Sequence, residues 1–265
     1  YFQSSMAGGA GAMDAVILKF SNNGARLWAT YYGGSSNGEQ GYGIAIDGSN
    51  NVYVSGVTTS ANFPLPASGA GYFRNTYAGN EAFILEFTNT GVPLWTTFLG
   101  GTGSESAYSL DIDGAGNLIV AGQTTSGDFP AQDPGGGAYT QGSSGSTDMF
   151  ISKFNSSHAL TWSTLYGGGG SDGAIALRTD PSDNIFVLGS TSSGNFPVLD
   201  AGGGAFYQSA LNGTSDAFIL KFDNACKQIW ATYIGGSSSE SFGLTYDYIA
   251  IDPLCGMVYI SILSN

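Results

Sequence analysis

The feature that most constrains the fold of this chain is a block of eight residues that occurs four times. The block reads LWATYYGG at 27–34, LWTTFLGG at 94–101, TWSTLYGG at 161–168 and IWATYIGG at 229–236. Its tryptophans, spaced 67, 67 and 68 residues apart, are Trp28, Trp95, Trp162 and Trp230. Self-similarity at a fixed long period predicts a repeat architecture in which equivalent units stack against one another.

Each unit contains four short segments with the composition of β-strands. A six-residue apolar segment, such as AVILKF at 15–20, precedes each tryptophan block after a tight turn. The other two segments are typified by GIAID at 43–47 and VYVSGVT at 52–58. Short apolar runs between tight turns predict strands, and no segment of helical length has a 3.6-residue period. Four antiparallel strands in each unit predict a β-propeller blade, with the tryptophan filling the wedge between blades. The paired glycines are expected to supply a positive φ at the exit of each block.

The repeat resembles the SBBP family of bacterial β-propeller repeats over residues 14–262. The resemblance rests on DAFILKF, WATYIGG, GIAID, NVYVSGVTTS and the triplets NFP and DFP at 62–64, 128–130 and 195–197. The chain also looks like the NHL-type arrangement, which implies that the GIAID strand is innermost and the tryptophan strand outermost. That order implies full blades at about 43–101, 107–168 and 173–236.

We therefore expect an all-β fold with one β-propeller domain over residues 14–265. The strands of 14–34 and those of 247–262 would share a closing blade, which gives four blades of four antiparallel strands. The family is named for seven blades, which four repeats cannot supply. Two alternatives stay open, namely part of a larger ring and a ring built by two chains. Residues 1–13 are assigned to a tag remnant and linker, because YFQSSM looks like an engineered protease site.

Composition limits the classes of partner. Seven Lys and Arg residues face 20 Asp and Glu residues, so the net charge is −13. An acidic chain lacks the cationic surface that binds nucleic acid or an anionic membrane. No apolar run reaches about 18 residues, so no direct membrane insertion is expected.

Two cysteines, Cys226 and Cys255, fall in predicted turns on the same rim of the propeller. Cys226 follows the third strand of one blade, and Cys255 follows the first strand of the next. We expect a disulfide between them that clamps the closing blade. This bridge, the low charge and the abundance of small polar residues indicate a secreted or cell-surface protein, which the family resemblance implies to be bacterial.

Three long segments, about 58–81, 124–147 and 191–215, connect the second and third strands of the full blades. Each opens with a Phe-Pro pair and continues through glycines to aromatic residues. One interpretation is that these aromatics anchor the loops to the blades. The other is a rim that binds protein or glycan, because Tyr beside Ser, Gly and Asn is the composition of adaptable binding loops. The candidate ligand-binding residues are Tyr72, Phe73, Tyr77, Tyr139, Phe206 and Tyr207.

Acidic residues recur at two positions of the repeat. Turn initiation is expected of Asp47, Asp113, Asp180 and Asp252. Capping of backbone amides before the AFILKF strand is expected of Asp14, Glu81, Asp148 and Asp216. No metal site or other cofactor is predicted, although a Ca²⁺ role for the first set stays open. The single histidine, His158, is expected to face solvent in a surface turn, which disfavours a Ser-His-Asp triad.

The expected function is a non-enzymatic recognition or scaffold module within a larger multidomain protein. Its partner would be a protein or carbohydrate ligand bound through the loops. The alternative is a propeller-fold polysaccharide hydrolase or lyase that uses loop carboxylates. The acid pairs Asp111/Asp113 and Asp180/Asp183 are its candidates.

Overall fold

A computed structural model describes residues 2–8, 12–36, 38–67, 70–241 and 248–264. Within these residues the chain is all β, and no helix is long and apolar enough to cross a bilayer. The strands are β1 Ala15–Phe20, β2 Arg26–Tyr32, β3 Gln40–Ile46, β4 Val52–Thr58, β5 Glu81–Phe87, β6 Pro93–Leu99, β7 Glu105–Ile112, β8 Leu118–Thr124, β9 Asp148–Phe154, β10 Leu160–Tyr166, β11 Asp172–Thr179, β12 Ile185–Thr191, β13 Asp216–Phe222, β14 Gln228–Ile234, β15 Glu240–Ser241, β16 Ile249–Ile251, β17 Val258–Ile260 and β18 Leu263–Ser264.

Three antiparallel sheets of four strands form the body of the molecule. Blade 1 contains β3 to β6, blade 2 contains β7 to β10 and blade 3 contains β11 to β14, each in chain order. Equivalent residues pair in all three blades, since Val52 pairs with Phe87, Leu118 with Phe154 and Ile185 with Phe222. The inner strand β7 lies against both β3 and β11, so blade 2 stands between the other two. This arrangement is that of successive propeller blades.

The middle strands of each blade are buried on both faces. Every residue of β4, β5 and β9 is buried, because neighbouring blades cover the two sides of the sheet. One apolar cluster joins Ile84 and Trp95 of blade 1 to Val120 and Phe154 of blade 2. This packing explains why the strand segments are apolar almost throughout instead of alternating in polarity.

One aromatic contact recurs between successive sheets. The tryptophan of a fourth strand meets the phenylalanine that ends the third strand of the next blade. The ring centroids are 5.4 Å apart for Trp95 and Phe154 and 5.2 Å apart for Trp162 and Phe222, both edge-to-face. Both indole nitrogens also donate to a backbone carbonyl at 2.8 Å. The tryptophans therefore fill the wedges between blades and are held there in one orientation.

Of the three two-stranded sheets among the described strands, β1–β2 and β16–β17 flank the three blades. β1 and β2 pack against blade 1, where Ile17 and Tyr32 join the cluster that contains Phe83 and Phe87. They occupy the place of the third and fourth strands of a blade before blade 1. β16 and β17 pack against blade 3, where Ile249 joins the cluster of its inner strands. They occupy the place of the first and second strands of a blade after blade 3.

The structure does not form the four-stranded closing sheet that the sequence predicts. Among the described strands, β1–β2, β15–β18 and β16–β17 are separate two-stranded sheets. The sheet β1–β2 packs on blade 1 and the sheet β16–β17 packs on blade 3, but among the described strands no backbone pairing joins β1 to β17. Closure of four blades within one chain is therefore not confirmed, and the number of blades stays a prediction.

Residues 2–8 take part in the fold, which their assignment to a tag and linker does not anticipate. The Gln3 side chain donates to Asp14 at 2.6 Å, as the Gln208 side chain donates to Asp216 at 2.6 Å. The Gln3 backbone pairs with Tyr31 of β2. Gln3 thus occupies the repeat position of Gln208, beside the outer strand of the N-terminal sheet.

The wedge contact gives a stability prediction. We expect Trp95→Ala to lower the free energy of unfolding by about 3–5 kcal/mol, because the indole is fully buried between two blades. Trp28→Ala should cost less, since Trp28 is half-buried at the end of the row. Urea unfolding followed by circular dichroism measures both values. Equal losses in the two variants would contradict the conclusion that burial of the tryptophan between two complete blades stabilises the fold.

Candidate functional site

The three long segments, here called the straps, do not form a face on one rim. They run along the outer edge of the fourth strand of their own blade. In blade 1 the Thr96 amide donates to Ala67 at 2.7 Å and the Phe98 amide to Arg74 at 3.0 Å. In blade 2 the Leu165 amide donates to Gln141 at 3.1 Å. The straps therefore satisfy edge groups that would otherwise be open to another strand.

Three of the six candidate ligand-binding residues anchor the straps. Tyr72 and Tyr139 enter the wedges, with ring centroids 5.7 Å from Phe154 and 5.9 Å from Phe222. Burial raises the pKa of the Tyr72 hydroxyl to about 12 and raises that of Tyr139 as well. The Tyr77 hydroxyl donates to the Thr59 carbonyl at 2.7 Å.

The other three, Phe73, Phe206 and Tyr207, are exposed. Phe206 and Tyr207 line an open apolar cavity of about 320 Å³ with Trp230, whereas Phe73 lies on another blade's strap. The structure therefore does not bring the six residues together at one site. A ligand-binding role for them stays a prediction.

Turn initiation by the first set of aspartates is confirmed. Asp47 Oδ1 accepts from the amides of Ser49 and Asn51, both at 2.8 Å, and its equivalents in the other units accept in the same way. Burial acts to raise the pKa of Asp113, but the Asn117 side chain and backbone and Lys153 outweigh it, so the pKa is lowered. Among the described residues, no three His, Cys, Asp or Glu side chains converge as in a metal site.

Capping of backbone amides by the second set is also confirmed. Asp14 accepts from the Ala7 amide at 2.8 Å and Glu81 from the Ala78 amide at 2.6 Å. Asp148 accepts from the Ser144 amide and Asp216 from the Asn212 amide, both at 3.1 Å. Each carboxylate holds the chain segment that enters its strand.

Sequence reasoning missed a third set of acids, one at the start of each inner strand. All four are buried, and they are Glu39, Glu105, Asp172 and Glu240. Glu39 accepts from Thr58 and Glu105 from Thr124, each at 2.7 Å. Their signal in the sequence is a carboxylate five or six residues after the first glycine of each block.

These carboxylates explain the paired glycines. A Cβ on Gly100 would collide with the Glu105 carboxylate, and a Cβ on Gly167 would collide with those of Asp172 and Asp148. None of the eight paired glycines has a positive φ, so the expectation of a left-handed exit was wrong. The glycines are needed for close approach to a buried acid instead.

Two of the buried acid sets face each other across the glycines. Burial raises the pKa of Asp172, and the nearby charge of Asp148 adds to the increase. Burial likewise raises the pKa of Glu81, to which Glu105 contributes, although the Arg74 guanidinium opposes it through an ion pair. The rim at the glycines therefore binds protons more readily when the chain is folded.

This arrangement gives a pH prediction with a defined sign. Because the folded-state pKa of Asp172 is raised, its contribution to stability is present at low pH and is lost as pH rises through that pKa. Relative to the parent chain, Asp172→Asn should therefore become more stable as pH rises from 4 to 7. Urea midpoints at several pH values measure the difference.

Asp128 serves as the matched control. Hydrogen bonds from the Thr102 backbone and side chain lower its pKa, so its contribution is present above the unfolded pKa and lost as pH falls. Asp128→Asn should become less stable, relative to the parent, as pH rises. The same trend in both variants would contradict the assignment.

The prediction that His158 faces solvent was wrong. Its ring stacks on Trp95 with centroids 4.5 Å apart, and its Nε2 atom lies 2.7 Å from Glu86 Oε2. His158 occupies the left-handed position of its turn, as Gly91 and Cys226 do in theirs. These turns reach back to the preceding blade, and there the left-handed residue covers the tryptophan.

A polar cavity of about 570 Å³, here called the turn-rim pocket, opens between blades 1 and 2 at this point. Its floor is a chain of hydrogen bonds in which the Tyr53 hydroxyl donates to Glu86 Oε1 at 2.9 Å and His158 meets Glu86 Oε2. The turns 47–51 and 113–116 form its walls. Burial and the Glu86 charge raise the pKa of Tyr53, so this hydroxyl stays a donor.

The predicted disulfide between Cys226 and Cys255 is not formed, and both cysteines are free. Cys226 is buried in the cluster that contains Trp162 of blade 2. The turn that holds Cys255 lies on the other side of blade 3, where Gly256 approaches Asp180. The two thiols therefore lie on opposite sides of one blade.

Alkylation of the native protein tests this placement. The exposed Cys255 thiol should react quickly with iodoacetamide. Cys226 should react only on unfolding, because it is buried and burial raises its pKa to about 11. Mass spectrometry counts the adducts, and Cys255→Ser should abolish the fast one. Two fast adducts, or a parent mass two protons low, would contradict the structure.

Comparison with known proteins agrees with this geometry. Residues 27–64, from β2 through β4 into the first strap, match the family described as SBBP, a beta-propeller repeat. The chain therefore contains a β-propeller repeat at these residues. The SBBP resemblance is thereby confirmed on those residues, and the three equivalent sheets show the same unit elsewhere in the propeller.

The propeller is also similar to an uncharacterized WD repeat-containing protein of Acanthamoeba polyphaga mimivirus. The two are 23% identical over 235 residues, which cover 81% of this chain and 17% of the mimivirus protein. The propeller therefore spans less than a fifth of the length of that relative. The match supports a propeller-type repeat in this chain, and it extends to no other part of the longer protein.

Proposed function

We propose that this propeller is a non-enzymatic scaffold that binds a partner protein in the turn-rim pocket. The observation that carries the proposal is the polar floor of Tyr53, Glu86 and His158. At the next blade interface the equivalent positions hold Ile119, Lys153 and Cys226. The repeat therefore packs without such a floor, and its presence at one interface indicates a use other than packing.

The charge of the pocket defines the chemistry of the partner. Its described lining includes the carboxylates of Asp47, Glu86 and Asp113 and no lysine or arginine, and of the three only Asp113 has a lysine partner, Lys153 at 3.0 Å. Leu94 at the margin adds an exposed apolar side chain. A segment with a lysine or arginine beside an apolar residue fits this lining, and the net charge of −13 would steer it there. The WD-repeat name of the mimivirus relative supports a protein partner over a glycan.

The alternative of a polysaccharide hydrolase or lyase gains no support from the geometry. Asp111 Oδ2 accepts from the Thr179 amide at 2.8 Å, and Asp183 Oδ1 accepts from the Gly114 amide at 2.6 Å. The pKa values of Asp113 and Asp180 are lowered, whereas a general acid needs a raised pKa. These carboxylates are engaged in holding turns and adjoining blades.

That the protein is secreted or lies at the cell surface stays a proposal, and one of the arguments for it no longer applies. The low content of charged residues still favours it, but the free cysteines remove the disulfide that pointed to an oxidising compartment.

A peptide array with basic, neutral and acidic sequences tests the binding proposal. We expect preferential binding of peptides that place Lys or Arg beside an apolar residue. Ser49→Arg, on the pocket wall, should weaken that binding about tenfold or more, because it places a cation in the acidic pocket. Biolayer interferometry with the selected peptide measures the affinity.

Ser182→Arg is the matched control. Ser182 holds the same place in the turn of blade 3, where its amide donates to Asp180 as the Ser49 amide donates to Asp47. This variant should bind like the parent. Equal loss in both variants, or no preference for basic peptides, would reject the pocket. Release of reducing ends from a glycan would reject the non-enzymatic assignment.

A further inference from the structure

The two ends of this propeller expose surfaces that are buried at every internal interface. Among the described residues the aromatic contact occurs three times, between Trp28 and Phe87, Trp95 and Phe154, and Trp162 and Phe222. Each of the four units has a tryptophan and a phenylalanine at these repeat positions. Trp230 of blade 3 and Phe20 of β1 belong to none of the three pairs. Phe20 is 56% exposed, whereas its three equivalents are fully buried. The missing contact therefore joins the C-terminal end of the row to its N-terminal end.

The strap of blade 3 points to the same partner. Tyr139 packs against Phe222 of the following blade, and Phe206 is the equivalent of Tyr139. Phe206 is 71% exposed, and no third strand among the described residues packs against blade 3 as β13 packs against blade 2. By the repeat, its partner is again Phe20.

The inner strands show the same mismatch. Leu110 of β7 is covered by β3, and Ile249 of β16 is covered by blade 3. Ile44 of β3 holds the equivalent position and is 64% exposed. An inner strand placed before β3 would cover it.

Charge is complementary across the two ends. Within blade 2, Lys153 pairs with Asp113 at 3.0 Å, and within blade 3, Lys221 pairs with Asp180 at 3.6 Å. The equivalent lysine of the N-terminal sheet is Lys19, and the equivalent aspartate of the C-terminal sheet is Asp252. A blade made of both sheets would contain the third such ion pair.

The backbone is complementary as well. The C-terminal sheet supplies the first and second strands of a blade, and the N-terminal sheet supplies the third and fourth. In the register shared by all three blades, Val258 of β17 would pair with Phe20 of β1. Within one copy, however, the described residues of β1 and β17 do not pair, and the two strands belong to separate sheets.

We propose that two copies of this chain join head to tail, so that the C-terminal sheet of each completes the N-terminal sheet of the other. Each copy contributes three whole blades and two halves, which gives a closed ring of eight blades with two shared blades. A head-to-tail contact closes into a ring when its rotation allows, and eight blades lie within the range of propellers. Closure buries Phe20, Phe206 and Ile44 and leaves no blade face exposed.

Light scattering coupled to size-exclusion chromatography tests the proposal. The parent chain should have twice its monomer mass of 27.2 kDa. Lys19→Glu and Asp252→Lys should each weaken the dimer about tenfold or more, because like charges then face each other at both shared blades. Phe73→Asp, which changes an exposed aromatic on the strap of blade 1 outside both terminal sheets, is the control and should leave the dimer intact. Circular dichroism verifies that each variant folds.

Mixing the two charge variants separates a second copy from closure within one chain. In a mixed dimer, Glu at one site meets Lys at the other in one shared blade, and the parent pair is kept in the second. Mixing should therefore restore the dimer to within about twofold of the parent affinity. Monomers in the parent, open polymers, or no rescue on mixing would each overturn the eight-bladed ring.

Discussion

The contact on which the structure depends is the aromatic wedge between consecutive blades. Each meander is apolar on both faces, so one sheet alone leaves half of its core in water. Trp95 and Tyr72 from one blade enclose Phe154 of the next, and the indole is oriented by its bond to the strap carbonyl. Removal of the wedge would therefore loosen a blade, its strap and its neighbour together, which makes the interface the cooperative unit of the fold.

The polar framework follows from that stacking. A strap reaches the wedge only by running along the outer strand, and it must be held at both ends. Carboxylates such as Glu81 and Asp148 bind its amides where it enters the third strand. Next to them, Glu105 and Asp172 fix the inner strand, with glycine required between the two sets. Many of the acidic residues of the chain thus hold the straps and inner strands in place beside the paired glycines. The turn-rim pocket differs, because the hydrogen-bonded residues of its floor have no equivalent at the next blade interface.

Much of the fold could be predicted from the sequence, because the strands and turns are local patterns that recur four times. The turns that begin at Asp47 and Asp113 are of this kind, as are the buried third strands. His158 was predicted to face solvent and Cys226 to pair with Cys255, and both predictions were wrong because the local sequence of a turn does not show its neighbours on another blade. The turn reaches back onto the tryptophan of another blade, 63 or 64 residues earlier, and only the stacked arrangement shows this. Glu105 was missed for a different reason, because Gly100 was interpreted as a residue with positive φ and not as one that leaves room for a buried carboxylate.

Repetition also has a consequence for assembly. Each interface in a row of blades is directional, with a tryptophan face and a phenylalanine face, so any open row ends in one unmatched face of each kind. The faces cannot be removed by adding blades, only by bringing the ends of the row together. In this chain the ends are half-sheets, so closure also forms a ladder of backbone hydrogen bonds in addition to side-chain packing. In the proposed ring the seam is therefore a four-stranded blade of the same kind as those within each copy, with strands one and two from the C-terminal sheet and strands three and four from the N-terminal sheet.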